Sequence, residues 1–291
     1  MKNYIKILTL FFVFGLLWAS CDKISYPYTE GGNGGDVTND TVRKVLLEDF
    51  TGHRCNNCPQ AHKIVEDLQT LYGKQLIAVS IHAGIFAKPK SAPYDYDFRT
   101  AEGTILFNSF GVSSNPIGMV NRVKQGNGGY LVDKGAFATE VSKKIDSLPE
   151  EPELYIYLKP VFNTSDSTIN LQADVTFLSN LPAGKFNLCV MITESDIIEA
   201  QLNQDPTLGN TPDILDYHHN HVLRGMLTTT WGDEILDGTA SDGMVINKSY
   251  SGFKLGKDWN PKNCHIVAFV YYADGAKEKE IIQAQEVELT K

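Results

Sequence analysis

The chain has 291 residues, with 26 basic and 35 acidic side chains and a net charge of −9. That balance excludes nucleic acid as a partner, because binding to phosphate needs clustered Lys and Arg to displace counterions. Hydrophobic residues make up 42% and charged ones only 21%. Such a chain is globular rather than disordered, and its length favours two domains over one.

The first element is an export signal over residues 1–20. Met1 to Lys6 is short and positive, and the charge-free run Ile7–Trp18 follows. That run is too short to span a bilayer as a helix but suits the apolar region of a secretory signal. Its removal takes Lys2 and Lys6, so the net charge moves from −9 to −11. The stretch Leu16-Leu17-Trp18-Ala19-Ser20-Cys21 resembles the lipobox of bacterial lipoproteins, with Trp18 where an aliphatic residue is usual. The resemblance implies that Cys21 becomes an acylated N-terminus, so that palmitate-type chains make the membrane a partner. The other reading is an ordinary cleaved signal with an incidental Cys. Residues 21–42 read as a flexible tether, Gly-rich from Gly31 to Gly35 and without helical or strand periodicity. Asp22 resembles signals that send lipoproteins to the outer membrane, with the membrane face left open.

From residue 43 to 148, strand and helix signals alternate. A short apolar run begins at Val45 and ends at Asp49-Phe50. Ala61, Ile64, Val65, Leu68, Leu71 and Tyr72 then mark one face of a helix over 58–72. A buried-type strand covers 76–81, and a Pro-rich inserted loop runs from Ala87 to Asp97. A helix is expected over 99–108, a strand over 117–123, and a last helix begins at Asp133. This alternation predicts an α/β domain.

After Leu148-Pro149-Glu150-Glu151-Pro152 the period changes to two. Ile169, Leu171, Ala173, Val175 and Phe177 alternate with polar residues, and strands also read at 154–162, 186–193, 220–228, 244–255, 264–272 and 280–289. Residues 153–291 are therefore expected to form an all-β, immunoglobulin-like sandwich domain.

The sharpest chemistry lies at Cys55-Asn56-Asn57-Cys58-Pro59, between a strand and a helix. A helix N-terminus favours thiolate over thiol, and Arg54 adds a full positive charge beside it. Cys55 is expected to be the more exposed nucleophile and Cys58 the resolving thiol, the two closing a disulfide. A structural disulfide without catalysis is the alternative. Zinc lacks the second close Cys pair it would need, and no cofactor is indicated.

The segment Val45 to Cys55 resembles the first strand and active-site turn of thioredoxins, although Arg54 stands in place of their Trp. This resemblance implies that Asp49 is the buried acid beneath the Cys pair and relays the proton of the resolving thiol. Phe110 to Pro116 resembles the segment ending in the family's cis-proline, so Pro116 is expected opposite the disulfide, supporting substrate. A narrower resemblance covers nearly the whole chain. It rests on Phe50-Thr51-Gly52-His53-Arg54-Cys55, His219 to Leu227, Thr230-Trp231-Gly232-Asp233, Ile266 to Val270 and Gln283 to Val287. These are similar to the 28-kilodalton outer-membrane-protein family of Gram-negative lipoproteins, which implies a thioredoxin-like domain joined to a β-sandwich. The expected function is thiol–disulfide exchange with exported proteins, served by a redox partner the sequence does not identify. The alternative is a non-catalytic binding lipoprotein, adhesin-like or client-binding.

Two weaker signals remain. His219 and His221, two apart on an expected strand, point the same way and suggest either a shared metal or simple packing. Cys189 and Cys264 are either a second disulfide or two buried free thiols.

Overall fold

The computed structural model describes residues 40–147 and 151–290. The signal, Cys21 and most of the tether lie outside the described residues. All the described residues belong to one compact unit. It is predominantly β, and its second half is a β-sandwich.

The α/β part begins with β1 (Val45–Thr51), whose seven residues are all buried. The helix α1 (Cys58–Tyr72) follows, then β2 (Leu76–His82), which pairs parallel with β1 from Val45↔Leu76 to Thr51↔His82. Pro59 sits at the start of α1, where its missing N–H costs nothing, and Gly73 ends the helix at a φ of 53°. Cys58, Ala61, Val65 and Leu68 form the helix's buried stripe. The next helix, α2 (Ala101–Ser109), is capped by Thr100, whose Oγ1 accepts from the Gly103 amide at 2.9 Å. Then β3 (Ile117–Val120) runs antiparallel to β1, with Gly118 opposite Asp49. The short β4 (Val132–Asp133) and α3 (Phe137–Asp146) complete this part.

The sandwich is built from β5 (Leu154–Asn163), β6 (Thr168–Phe177) and β12 (Val245–Lys254) in one three-stranded sheet, ordered β12-β6-β5. It packs on β7 (Leu181–Glu194), β13 (Cys264–Tyr272) and β14 (Ile281–Glu288). The alternation read at 169–177 holds: Ile169, Leu171, Ala173, Val175 and Phe177 all face this core. The alternation arises because successive side chains of a strand point to opposite faces.

Strands from both sides of residue 150 share one sheet, ordered β14-β13-β7-β10-β2-β1-β3-β4. The joining strand is β10 (Val222–Met226), parallel to β2 through Val222↔Ser80 and antiparallel to β7. The reason is the two-sided apolarity of β7 and β13. Leu188, Val190, Ile266 and Ala268 fill the sandwich core, while Cys189, Met191, Val267 and Phe269 pack with Leu46, Phe50, Ile77 and Val79. Such strands cannot leave one face in water. A buried ion pair stitches the same seam. Arg122 donates from Nε and Nη2 to Glu48 at 2.7 and 2.6 Å, with its guanidinium over the Phe110 and Phe269 rings.

Besides the two-residue β4, three strands have no counterpart in the sequence reading. One is β11 (Asp233–Ala240), which pairs with β7. The others, β8 (Ile197–Leu202) and β9 (Asp213–His219), form a separate two-stranded hairpin.

Candidate functional site

The turn between β1 and α1 carries the Cys pair. The Cys55 amide bonds to Gly52 O at 2.9 Å and the Cys58 amide to Cys55 O at 3.2 Å, winding the chain into the helix. Cys55 and Cys58 form a disulfide with Cα atoms 5.4 Å apart. Gly52 lets the 83–98 loop approach, since a Cβ there would stand 2.5 Å from Phe86 C and 2.6 Å from Ala87 N. That loop then accepts the Arg54 amide at Phe86 O (3.0 Å) and the Arg54 guanidinium at Ile85 O. Arg54 is therefore engaged with the loop.

Asp49 comes from β1, 3% exposed, and neither carboxylate oxygen accepts a hydrogen bond. Burial without compensation disfavours its charged form and pushes its pKa up to about 7. Its nearest cationic candidate is His62 Nε2 at 3.5 Å. His62 lies one turn after Cys58 on α1. Its Nε2 also meets Thr51 Oγ1 at 2.9 Å, and its Nδ1 meets the Tyr217 hydroxyl of β9 at 2.8 Å. Burial first, and then His221, push the His62 pKa down to about 4. Around pH 6 the site thus holds a protonated Asp49 beside a neutral imidazole. Pro116 immediately precedes β3, and the Asn115–Pro116 peptide is cis. The Asn115 side chain donates to Ala83 O at 3.3 Å.

Little of Cys55 reaches solvent. It is 3% exposed and Cys58 is fully buried. The cause is the β8–β9 hairpin, which lies over the turn. Leu202 N donates to His53 O at 2.8 Å, Gln201 Nε2 to Cys55 O at 2.9 Å and Gln204 N to Asn56 O at 3.1 Å. Asn56 Nδ2 donates back to Gln204 Oε1 at 2.9 Å.

His219 and His221 do not form the expected strand pair. β9 ends at His219, whose ring packs on Phe98 and His82, while His221 has a φ of 56° and leads into β10. The two residues therefore do not share a strand. Among the described residues, no group of three His, Cys, Asp or Glu is arranged to hold a metal ion.

Cys189 and Cys264 are free and buried rather than bridged. They lie on neighbouring strands, but Cys264 is opposite Glu194 and Cys189 is opposite Phe269. An offset of five residues at about 3.4 Å each is far beyond disulfide reach. Burial pushes both thiols up to about 12, so they are poor nucleophiles.

Sequence reading missed His62, Tyr217, Gln201 and Gln204. The spacing of four between Cys58 and His62 was an available signal, because positions i and i+4 share a helix face. The hairpin residues gave none.

The profile of the family described as outer membrane protein Omp28 matches residues 104–291. The chain belongs to the Omp28 family. This family is one of outer membrane proteins, and the outer membrane is accordingly the cellular address of this Omp28 member. No helix among the described residues is long and apolar enough to cross a membrane. Among solved structures, HBP35 of Porphyromonas gingivalis is similar at 19% identity, covering 87% of this chain and 77% of that one with a TM-score of 0.62. A protein of Agrobacterium tumefaciens is similar at 11% identity, covering 87% and 97% with a TM-score of 0.51. A domain of the outer membrane lipoprotein Omp28 from P. gingivalis is 18% identical over 48% of this chain and 89% of its own, at a TM-score of 0.31. The first two likenesses concern the fold. No curated protein matches the chain significantly.

Proposed function

We propose that this Omp28-family protein exchanges thiols and disulfides with exported proteins through a thioredoxin-like site, held at the outer membrane by acyl chains on Cys21. The observation that carries the reading is the Cys55–Cys58 disulfide at the N-terminus of α1, together with a buried acid on the preceding strand, Asp49, that has no hydrogen-bond partner and lies 3.5 Å from His62 one turn along the same helix. A carboxyl that uncompensated is costly to keep, and a pKa of about 7 suits it to take and return a proton under physiological conditions. The β1-α1-β2 unit with antiparallel β3, entered through Pro116, supports the thioredoxin-like reading.

In the reduced protein, Cys55 thiolate attacks one sulfur of a client disulfide, forming a mixed disulfide and releasing one client thiolate. Cys58 then passes its proton to the Asp49 carboxylate and attacks Cys55 Sγ. The Cys55–Cys58 bond forms, the bond to the client breaks, and the second client thiolate leaves. Two electrons move to the client, and a partner dithiol restores the protein. Run backwards, the same steps oxidise a client dithiol. Pro116 supports the client's chain beside the sulfur. The test is reduction of a dye-labelled disulfide peptide by the pre-reduced protein. Wild type should turn over in the presence of a dithiol, and Cys55→Ser should fall to background; equal rates would remove the catalytic reading.

One observation favours the second reading, a non-catalytic binding lipoprotein with a structural disulfide: both sulfurs are buried beneath the hairpin. Under that reading, capture of an envelope protein or glycan is unchanged when both Cys55 and Cys58 are replaced by Ser.

A further inference from the structure

The turn's three backbone carbonyls, His53 O, Cys55 O and Asn56 O, point outward toward the hairpin, which satisfies all three from Gln201, Leu202 and Gln204. Two of the three donors are backbone amides of an extended segment, the kind of donor any peptide in β conformation presents. The hairpin therefore sits where an extended chain would have to lie to bring its sulfur to Cys55.

The hairpin's construction suits movement. β8 and β9 pair only with each other and take no place in the large sheet. Both ends of the hairpin carry a non-glycine residue in the left-handed region, Asp196 at a φ of 60° and His221 at 56°. The ten residues between the strands are organised around Asn203, whose amide donates to Pro212 O at 2.7 Å and whose Nδ2 donates to Asp205 O at 2.8 Å and Asn210 O at 3.1 Å. This tip can shift as a unit without dissolving its own bonds. Behind the hairpin, a cavity of about 420 Å³ lies between it and α1, lined by His62, Glu66, Ile214 and Tyr217 among others. The contact with the helix is thus incomplete, with room to give. The hold of Gln201–Gln204 on the turn is polar, Gln60 Nε2 donates to Asp205 Oδ2 at 3.0 Å, and ring contacts of Tyr217 and His219 with His62, His82 and Phe98 hold the second strand.

We propose that the hairpin Ile197–His219 is a lid that occupies the client groove with Gln201–Gln204 as an internal stand-in, and that the protein's substrates are disulfides within extended peptide segments that replace it. The proposal rests on the exchange reading above for the word substrate, but the lid itself does not. Opening pivots at Asp196 and His221 and exposes Cys55 together with the three carbonyls. The closed state shields the disulfide from solvent thiols, and an extended client that supplies equivalent N–H donors stabilises the open one.

Two measurements decide it. The first is the rate at which dithiothreitol reduces the Cys55–Cys58 bond in wild type and in Gln201→Ala/Gln204→Ala. With several of the closing bonds removed, each worth a few-fold in equilibrium, the double variant should react about tenfold faster or more. The second needs no variant: amide hydrogen exchange in oxidised wild type. The amides of Leu202 and Gln204 should exchange at least a hundredfold faster than those of Met191 and Ile192 in β7. Equal reduction rates, or Leu202 and Gln204 amides that exchange only with the core, overturn the lid. If the lid criteria are met while Cys55→Ser reduces the client peptide as well as wild type, the lid stands and the exchange reading falls.

Discussion

Replacing Asp49 with Asn tests whether the buried acid of β1 is kept against the interest of stability. In the unfolded chain this carboxyl titrates near 3.8, and burial in the folded protein moves it to about 7. Between those values the folded state holds a proton that the unfolded state has lost, so stability falls as pH rises. Its contribution is intact below about pH 4 and has been lost once pH passes about 7. Roughly three pH units at about 1.36 kcal/mol each make the loss about 4 kcal/mol. Asparagine is close to isosteric and does not titrate. The other buried imidazoles are common to both proteins and cancel in the comparison, except His62, which lies 3.5 Å away and stays neutral above about pH 4. The assay is urea unfolding of oxidised protein from pH 4 to 8. Asp49→Asn should gain on wild type by about 4 kcal/mol across that range, nearly all of it between pH 4 and 7. A gap that stays constant within about 1 kcal/mol would refute the reasoning, because Asp49 would then be ionised or solvated in the fold.

Other consequences follow from the same geometry. Glu48→Ala should destabilise the protein by about 3–5 kcal/mol in the same unfolding assay, since it strands the fully buried Arg122. Glu48→Leu combined with Arg122→Met should cost less than either single change, because no unpaired charge is left. Gly52→Ala should lower stability and speed reduction of the disulfide, as its Cβ must push the 83–98 loop off the turn that carries the Cys pair. Cys189 and Cys264 should remain unlabelled by iodoacetamide in native protein at pH 8 and label fully in urea without prior reduction, as mass spectrometry can count.

Where local chemistry decides structure, the sequence is readable. The 3.6-residue stripe of α1 and the alternation in β6 both reappear close to their expected limits. The Cys pair, Asp49 and Pro116 also sit on the elements their flanking patterns suggest. What the sequence hides is pairing between distant segments. β10 looks like any short apolar strand, and nothing local says that it will join β2 to β7. Gln201 bonds to a carbonyl 146 positions away, and neither residue type marks that meeting. The 203–212 stretch is rich in turn-forming residues and reads as a loop, so the hairpin around it passes unnoticed. The same long-range cover explains why both cysteines of the pair are buried. For Cys189 and Cys264, register alone chooses between disulfide and free thiols, and register comes from β7–β13 pairing that composition does not reveal.

The central claim is that Cys55 attacks client disulfides and Cys58 resolves the product. Expressing Cys58→Ser in the native envelope, with acid quenching and non-reducing separation, tests it most directly. Discrete mixed disulfides with exported proteins should accumulate, disappear on reduction and be absent from the Cys55→Ser/Cys58→Ser double variant. Mixed disulfides no more abundant in Cys58→Ser than in that double variant would contradict it, and the Cys pair would then be a structural staple.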